Sequence, residues 1–269
     1  MRRKGFRRGR VSAGARLAVF LLWSTGVALA WMLRRPFLPR WRWTSEAARF
    51  TAAWSRGVLR LLEIEVRVQG IPPRPPFFLV GNHLSYLDIP ILASQVPCTF
   101  VAKAEVADWP LFGLLASLSG TVFVNRRSGR DAARVNERIA AVYRTGGGVA
   151  LFPEGTSTGG EAVAPFRAPL LDFPAAAGIP VHLAVLRYRA PLGLPPASES
   201  MCWWGEMTFL PHFFNLFRMA GMQADLVFAP AAFSHPDRKR LAGTLQLAAE
   251  EGLGRLDAGF PAAPRKAMA

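Results

Sequence analysis

A histidine and an aspartate five residues apart could supply a general base and the carboxylate that supports it. His83 and Asp88 lie in the segment GNHLSYLD, residues 81–88, directly after the apolar run 77–80, which we predict to be a β-strand. Histidine is the usual general base near neutral pH, and a carboxylate on its far ring nitrogen fixes the tautomer and stabilises the imidazolium. Open α/β sheets place their sites at the carboxyl ends of strands, where this segment would lie. Taken alone, the spacing is also compatible with a structural or capping role.

A pair of arginines follows another apolar run. Arg126 and Arg127 end the segment GTVFVNRR, residues 120–127, and Lys103 directly follows the run 99–102. Guanidinium groups bind phosphate bidentately, so these three cations could form an anion pocket. A solvent-exposed arginine pair would give the same pattern.

A third polar segment follows the apolar run 148–152. Within LFPEGTSTGG, residues 151–160, Glu154 could bind a hydroxyl or an arginine, while Gly155 and Thr156 could expose backbone and hydroxyl donors. Alone, this segment would be an ordinary turn.

Alternating β-rich and helical runs must position these segments, and from residue 66 onward they indicate an α/β domain. The predicted strands are 77–80, 99–102, 121–125, 148–152, 181–188 and 224–228. The predicted helices are 89–95, 109–118, 131–144, 169–177 and 236–253. The aromatic segment 202–214 is expected to lie mainly in the core, and a position at the border of a substrate groove is the alternative.

Composition and charge narrow the class of protein. The chain has 269 residues, 51% hydrophobic and 19% charged, which excludes disordered, collagen-like and disulfide-dense classes. The formal net charge is +15, yet residues 1–60 hold 14 basic residues and a single acid, Glu46. A nucleic-acid-binding domain would carry its basic patch on the folded body, so we expect anionic membrane lipids rather than nucleic acid as the partner.

An uncharged apolar stretch spans residues 17–33, with arginines on both sides. It is barely long enough for a hydrocarbon core of about 30 Å, so a transmembrane helix and a re-entrant or interfacial helix are both compatible with it. A signal peptide ending at Ala28-Leu29-Ala30 is disfavoured by the basic aromatic segment 34–43 that follows. The positive flanks favour a bacterial inner-membrane protein whose catalytic domain faces the cytoplasm.

Residues 50–61 have the pattern of an amphipathic helix, which could lie on a bilayer or pack on the core. We therefore expect three units in the chain. Residues 1–65 would form basic membrane-anchoring helices, residues 66–259 the catalytic domain, and residues 260–269 a flexible tail.

The remaining cysteines and histidines are expected to be structural. Cys98 and Cys202 lie far apart without metal-ligand spacing, which predicts buried thiols and no metal site. His182, His212 and His235 lack a nearby carboxylate motif.

The three polar segments, in this order, resemble the glycerolipid acyltransferase superfamily, typified by the 1-acyl-sn-glycerol-3-phosphate acyltransferases. That family has an N-H-x4-D block, a G-x-x-F-[IV]-x-R block, an F-P-E-G-T block and a final strand of the P-V-x-P-V type. The corresponding segments here are residues 82–88, 120–126, 152–156 and 179–185. The resemblance implies an α/β fold with a mixed, mostly parallel sheet flanked by helices, joined to an N-terminal membrane-associated helical segment.

The resemblance also implies a reaction. A fatty acyl group would move from acyl-CoA or acyl carrier protein to a free hydroxyl of a lysolipid, with no metal or organic cofactor. His83 would take the hydroxyl proton as the oxygen attacks the thioester carbonyl, and Asp88 would orient the imidazole. Arg126 and Glu154 are acceptor-binding positions of the family, and Lys103 and Arg127 would add phosphate contacts. The expected substrate-binding residues are thus Lys103, Arg126, Arg127, Glu154, Gly155 and Thr156.

A departure from the family pattern bears on the acceptor. Ser157 stands after F-P-E-G-T, where the family often has an arginine, and it is similar to a subgroup that includes lyso-ornithine-lipid acyltransferases. We expect acylation of the sn-2 hydroxyl of 1-acyl-glycerol-3-phosphate to phosphatidic acid, with lyso-ornithine lipid as the alternative acceptor. A non-catalytic membrane-binding protein on this fold is disfavoured by the intact His83 and Asp88 pair.

Overall fold

The computed structural model of the chain describes residues 12–125 and 129–259. Its strands are β1 (Ile64–Gln69), β2 (Phe77–Gly81), β3 (Thr99–Lys103), β4 (Val122–Val124), β5 (Gly148–Leu151), β6 (Val181–Arg189) and β7 (Met222–Phe228). Its α-helices are α1 (Ala13–Arg34), α2 (Trp43–Leu61), α3 (Asp88–Gln95), α4 (Phe112–Leu118), α5 (Gly129–Arg144), α6 (Asp172–Ala176), α7 (Ala197–Ser200), α8 (Phe209–Leu216) and α9 (Arg238–Ala258). Short 3-10 turns lie at Arg35–Phe37, Arg40–Arg42, Ala104–Asp108 and Ala168–Leu171.

The strands form one sheet in the order β1-β7-β6-β2-β5-β3-β4. Every neighbouring pair is parallel except β6 and β7, which are antiparallel. The central strands β2 and β5 are buried along their whole length, which explains why their sequences are continuous apolar runs rather than alternating ones. The predicted α/β fold with a mixed, mostly parallel sheet is confirmed.

Helices cover both faces of this sheet and enclose two apolar cores. Phe77 and Leu79 of β2 belong to a core shared with α2, α3 and α8. Phe78 and Val80 point the other way, into a core shared with α5, α6 and α9. The first of these cores borders the cavity described below.

The six predicted strands are present, with ends that differ by one or two residues. Among these strands and α-helices, three were not predicted: β1, α7 and α8. β1 pairs in parallel with β7, although its sequence IEVRVQ alternates apolar and polar residues. The predicted boundary between residues 65 and 66 falls inside β1. α8 lies in the aromatic segment expected to be core, and its Phe213 is indeed buried.

Two predicted helices are shorter than expected, and a proline accounts for one of the differences. The helix predicted at 109–118 begins only at Phe112, after Pro110. The helix predicted at 169–177 is split into a 3-10 turn and the five-residue α6. The predicted tail, residues 260–269, lies outside the described residues.

One stripe of α1 packs against the rest of the molecule. Its buried residues are Arg16, Phe20, Ser24, Ala28 and Trp31. The Phe20 ring contacts the rings of Trp54, Phe112, Phe213 and Phe217. The guanidinium of Arg16 also donates a hydrogen bond to the carbonyl of Met219 at 2.6 Å. α1 is therefore packed against the rest of the molecule along its length.

The outward face of α1 is apolar and exposed. Its exposed residues include Val19, Leu22, Leu29 and Leu33. Among the described residues, one helical segment, Ala13–Phe37, is long and apolar enough to cross a membrane by length and composition, with a mean hydropathy of 1.6. The apolar N-terminal helix expected from the sequence is present.

Candidate active site

The parallel strands bring several polar segments together at their carboxyl-terminal ends. β2, β5, β3 and β4 are parallel neighbours, so their carboxyl ends face the same side. His83 follows β2, Glu154 follows β5, and Lys103 ends β3. Sequence segments up to 71 residues apart along the chain thus meet because their strands are adjacent.

His83 and Asp88 form a direct pair. Nδ1 of His83 lies 2.6 Å from Oδ2 of Asp88, whose side chain is completely buried. The same oxygen accepts backbone N–H groups of Leu84 at 2.7 Å and Ser85 at 3.1 Å. The carboxylate stands at the first residue of α3, where the helix dipole favours negative charge. Asp88 can therefore hold the imidazole in the tautomer that leaves Nε2 to accept a proton.

The other oxygen of Asp88 has its own partner. The hydroxyl of Tyr188, on β6, donates to Oδ1. Burial and the nearby charge of Asp88 raise the pKa of Tyr188 well above its usual value, so its hydroxyl stays protonated. Sequence reasoning did not single out Tyr188, because its role depends on which strand lies beside β2.

The ring and backbone of His83 are held by the segment after β5. The imidazole stacks on the ring of Phe152, with centroids 4.4 Å apart and planes 10° from parallel. The backbone N–H of His83 donates to Oε1 of Glu154 at 2.6 Å, and the backbone N–H of Thr158 donates to the carbonyl of His83 at 2.9 Å. His83 is thus fixed on three sides while its side chain stays partly exposed.

Glu154 is a buried residue whose carboxylate bridges two backbone segments. Only 2% of the residue is exposed, and its second oxygen, Oε2, accepts the backbone N–H of Ala164 at 2.8 Å. Desolvation by burial raises the pKa of Glu154 to about 7, against the opposing effect of the two backbone hydrogen bonds. Both oxygens are occupied by the protein's own amides, and Glu154 is not among the residues that line the neighbouring cavity.

A cavity of about 390 Å³ opens beside His83. Aromatic and aliphatic side chains dominate its walls, among them Phe50, Trp54, Val58, Phe112, Leu115, Phe209 and Phe213. Its polar lining includes Lys103, Glu105, Thr156 and Ser157. A mostly apolar cavity with a few polar groups beside a histidine can hold a lipid chain with its reactive end at the imidazole.

The structure places most of the predicted site residues around this cavity. His83, Lys103, Gly155 and Thr156 all line it, and Asp88 lies directly behind His83. The φ angle of Gly155 is +78°, a left-handed conformation that favours glycine, and its N–H donates to the carbonyl of Phe152 at 3.1 Å. Arg126 and Arg127 lie outside the described residues.

Ser157 contributes to the wall of the cavity in an unexpected way. Its hydroxyl donates to the carbonyl of Trp203. Backbone N–H of Trp203 in turn donates to the carbonyl of Leu84 at 2.9 Å. The residue that stands at the family's arginine position therefore ties the segment after β5 to the aromatic segment before α8.

The helices of the N-terminal segment also line the cavity, which the sequence did not predict. Phe50, Trp54, Val58 and Leu62 lie at or just beyond α2, and Phe20 comes from α1. The apolar arc that was predicted for α2 therefore faces the cavity and the core. The exposed arginines Arg49, Arg56 and Arg60 lie on its other side.

Of the other residues predicted to be structural, the two cysteines and His212 are buried, while His182 and His235 are half-buried. Cys98 and Cys202 are free and buried, and burial raises the pKa of the Cys202 thiol to about 12. His212 is buried, and its Nδ1 lies 2.8 Å from the hydroxyl of Tyr86. Within residues 12–125 and 129–259, no group of three or more His, Cys, Asp or Glu side chains is placed to hold a metal ion.

The chain is similar to several known proteins. Residues 63–186 match the acyltransferase family. A lyso-ornithine lipid O-acyltransferase of Pseudomonas aeruginosa is 38% identical over 204 residues, covering 76% of this chain and 77% of that protein. A 1-acyl-sn-glycerol-3-phosphate acyltransferase of Neisseria meningitidis is 32% identical over 188 residues, covering 69% of this chain and 73% of that protein. The crystal structure of the 1-acyl-sn-glycerophosphate acyltransferase PlsC from Thermotoga maritima has a TM-score of 0.63 at 20% identity and covers 93% of this chain and 99% of its own, which shows a shared fold.

Proposed function

Because this chain belongs to the acyltransferase family and is a lysolipid O-acyltransferase, we propose that its acceptor is a lyso-ornithine lipid, which it acylates on a free hydroxyl. The observation that carries the acyl-transfer chemistry is the His83–Asp88 pair beside the apolar cavity. The choice of acceptor is supported by the 38% identical relative of that name and by Ser157 at the family's arginine position.

His83 would act as a general base in a direct transfer. Nδ1 is engaged by Asp88, so Nε2 takes the proton of the acceptor hydroxyl while its oxygen attacks the thioester carbonyl. When the tetrahedral intermediate collapses, the C–S bond breaks and the imidazolium returns the proton to the leaving thiolate. The buried carboxylate of Asp88 stabilises the imidazolium that forms between these two steps.

The polar wall of the cavity suits a zwitterionic headgroup. Ornithine carries a carboxylate and a side-chain ammonium, and the wall holds both Lys103 and Glu105. Lys103 would bind the carboxylate and Glu105 the ammonium. A phosphate headgroup would instead meet a carboxylate of the same sign, which disfavours it by charge repulsion.

Acylation of lysophosphatidic acid is the second candidate function. It is supported by the Neisseria relative and by the predicted phosphate contacts of Lys103, Arg126 and Arg127. In either case the acyl chain of the donor, acyl-CoA or acyl carrier protein, would enter the apolar part of the cavity.

The N-terminal residues 1–65 would hold the enzyme at the membrane where a lysolipid resides, while residues 66–259 carry out the chemistry. α1 has one stripe packed on the body and the opposite apolar face exposed, which suits a helix lying in the membrane interface better than one crossing it alone. Exposed Phe37 and Trp41, among the arginines of the connection to α2, would lie at the headgroup level of anionic lipids. A bacterial inner membrane with the catalytic domain on the cytoplasmic side fits the positive flanks.

An acyl-transfer assay on the full chain in detergent or liposomes tests the proposal. Acyl-CoA would be offered with lyso-ornithine lipid and, in parallel, with lysophosphatidic acid, for the wild type and for His83→Ala. We expect faster acylation of lyso-ornithine lipid, and a loss of at least about 10²-fold in the variant. Preference for lysophosphatidic acid would support the second candidate, and His83-independent transfer would overturn the catalytic assignment.

A further inference from the structure

We propose that Tyr188 is a positioning residue for catalysis, which acts through Asp88 by holding its Oδ1 and thereby sets the basicity of His83. The inference rests on the proposed catalytic role of the His83–Asp88 pair. It adds a third member to that pair, a residue of β6 that lies beyond the last of the four sequence blocks, residues 179–185.

The sheet register explains how Tyr188 reaches the site. β2 ends at Gly81, which pairs with Ala184 of β6. β6 continues beyond that point, where Tyr188 pairs with Ala224 of β7. The last residues of β6 therefore extend past the end of β2 and pass directly beside the loop that carries His83.

Asn82 locks this loop to β6. Its side-chain amide donates to the carbonyl of Leu186 at 3.0 Å, and its Oδ1 accepts the backbone N–H of Leu186 at 2.7 Å. Leu186 and Tyr188 lie two residues apart and so point to the same face of β6. The loop register that Asn82 fixes thus places Asp88 within reach of the Tyr188 hydroxyl.

The two oxygens of Asp88 are satisfied differently. Oδ2 accepts three donors, from the His83 ring and from the backbone of Leu84 and Ser85. For Oδ1, the structure gives Tyr188 as the side-chain donor. Asp88 is completely buried and only 3% of Tyr188 is exposed, so water has little access to replace that hydroxyl.

The direction of a pH effect follows from this arrangement. The hydroxyl of Tyr188 stabilises the carboxylate form of Asp88, and without it the Asp88–His83 unit would bind a proton more readily. The pair works as a base only when the imidazole is neutral, so the acidic limb of the rate profile would move to higher pH. Other titratable groups that face this cluster are Glu154, Cys202 and Tyr86.

The primary test is Tyr188→Phe in the full chain, which keeps the ring and removes only the hydroxyl. We expect kcat to fall about 10-fold or more, KM for the lysolipid to stay the same, and the acidic limb of the pH profile to move upward. Tyr143→Phe is the matched control, because Tyr143 lies on α5 and its ring contacts Phe173 far from the site. The thermal unfolding of each variant is measured beside its activity.

A double-mutant cycle separates positioning from a general effect on the fold. In an Asp88→Asn background, Tyr188→Phe should cause little further loss, because the carboxylate through which Tyr188 acts is gone. Two results would overturn the role of Tyr188. One is a double variant whose loss of activity equals the product of the two single losses, and the other is a Tyr188→Phe variant whose pH–rate profile keeps its acidic limb at the wild-type position. If Asp88→Asn alone keeps full activity, the catalytic pair itself is wrong, which is a distinct outcome.

Should Tyr188→Phe fail to fold, fluorotyrosine incorporation keeps the ring and the hydroxyl. In a Tyr86→Phe, Tyr143→Phe chain, Tyr188 is the only tyrosine, since the sequence has three. A more acidic hydroxyl donates more strongly to Oδ1, so the acidic limb should move to lower pH, opposite to the effect of removing it. A profile that is unchanged against the same chain with ordinary tyrosine would overturn the proposal.

Discussion

Two buried carboxylates hold His83, one through its imidazole ring and the other through its backbone. Asp88 binds the imidazole itself and is satisfied by backbone N–H groups and the Tyr188 hydroxyl. Glu154 binds the backbone N–H of His83 and spans to Ala164. One carboxylate therefore contacts the ring that would move a proton, while the other fixes the loop that carries the ring.

Their surroundings give the two groups different electrostatics. Glu154 accepts the backbone N–H groups of His83 and Ala164, and desolvation by burial raises its pKa to about 7. Asp88 stands at the start of α3 with donors on both oxygens, an environment that favours a lasting negative charge. This difference supports the proposal that Asp88 takes part in the chemistry, whereas Glu154 fixes the loop that carries His83.

The strongest test of this difference is Asp88→Asn. The amide cannot stabilise the imidazolium and can favour the wrong tautomer, so we expect acyl transfer to fall by about 10²- to 10⁴-fold. Initial rates at saturating lysolipid measure the effect. Asp172→Asn is the control, because Asp172 forms an exposed ion pair with Arg238 away from the cavity. An Asp88→Asn rate within a few-fold of wild type would remove the distinction between the two carboxylates.

The position of Glu154 also shows what the sequence could predict. The four blocks and the apolar runs that precede them were sufficient to predict the six strands, the end of the sheet where the polar segments meet and the His83–Asp88 pair. The acceptor-binding role that the family resemblance implies for Glu154 stays a prediction. In the structure both its oxygens accept backbone N–H groups, and the residue does not line the cavity. Nothing in local sequence distinguishes a carboxylate that faces a ligand from one that faces the protein's own N–H groups.

Other features depend on contacts that local patterns do not encode. The Tyr188–Asp88 contact requires β6 to lie beside β2, a non-local choice of strand order. The buried stripe of α1 includes Arg16 and Ser24, which a uniformly apolar helix pattern does not single out. β1 could have been found, since Ile64, Val66 and Val68 alternate with polar residues in the manner of a strand.

Glu154→Gln is expected to give a smaller catalytic effect, of about 10-fold, and a clear change in the pH dependence of stability. A carboxyl whose pKa rises to about 7 on folding holds a proton in the native state that the unfolded chain has released. Stability of the wild type therefore falls as pH rises from about 5 to about 7, by on the order of 3 kcal/mol at most, and levels off above that. The glutamine variant should lose this slope.

Thermal unfolding in detergent between pH 5 and pH 8 measures that slope. Glu161→Gln serves as the matched control, because Glu161 lies in the same segment but is exposed. If the slope persists in Glu154→Gln, another group is responsible for it. A catalytic loss as large as that of Asp88→Asn would instead place Glu154 in the chemistry and break the comparison.

The smallest expected effect concerns Phe152, where the two loops meet through ring stacking. Phe152→Leu keeps an apolar side chain but removes the flat surface beneath the imidazole, which lies 4.4 Å away between ring centroids. Since Asp88 and Glu154 still hold the ring and the backbone, we expect kcat to fall only about 3- to 10-fold with the acidic limb of the pH profile unchanged. Phe173→Leu, remote from His83, is the matched control. A shift of that limb in Phe152→Leu would mean that ring stacking also affects the basicity of His83. Asp88 and Tyr188 would then share the control of that basicity with the loop after β5.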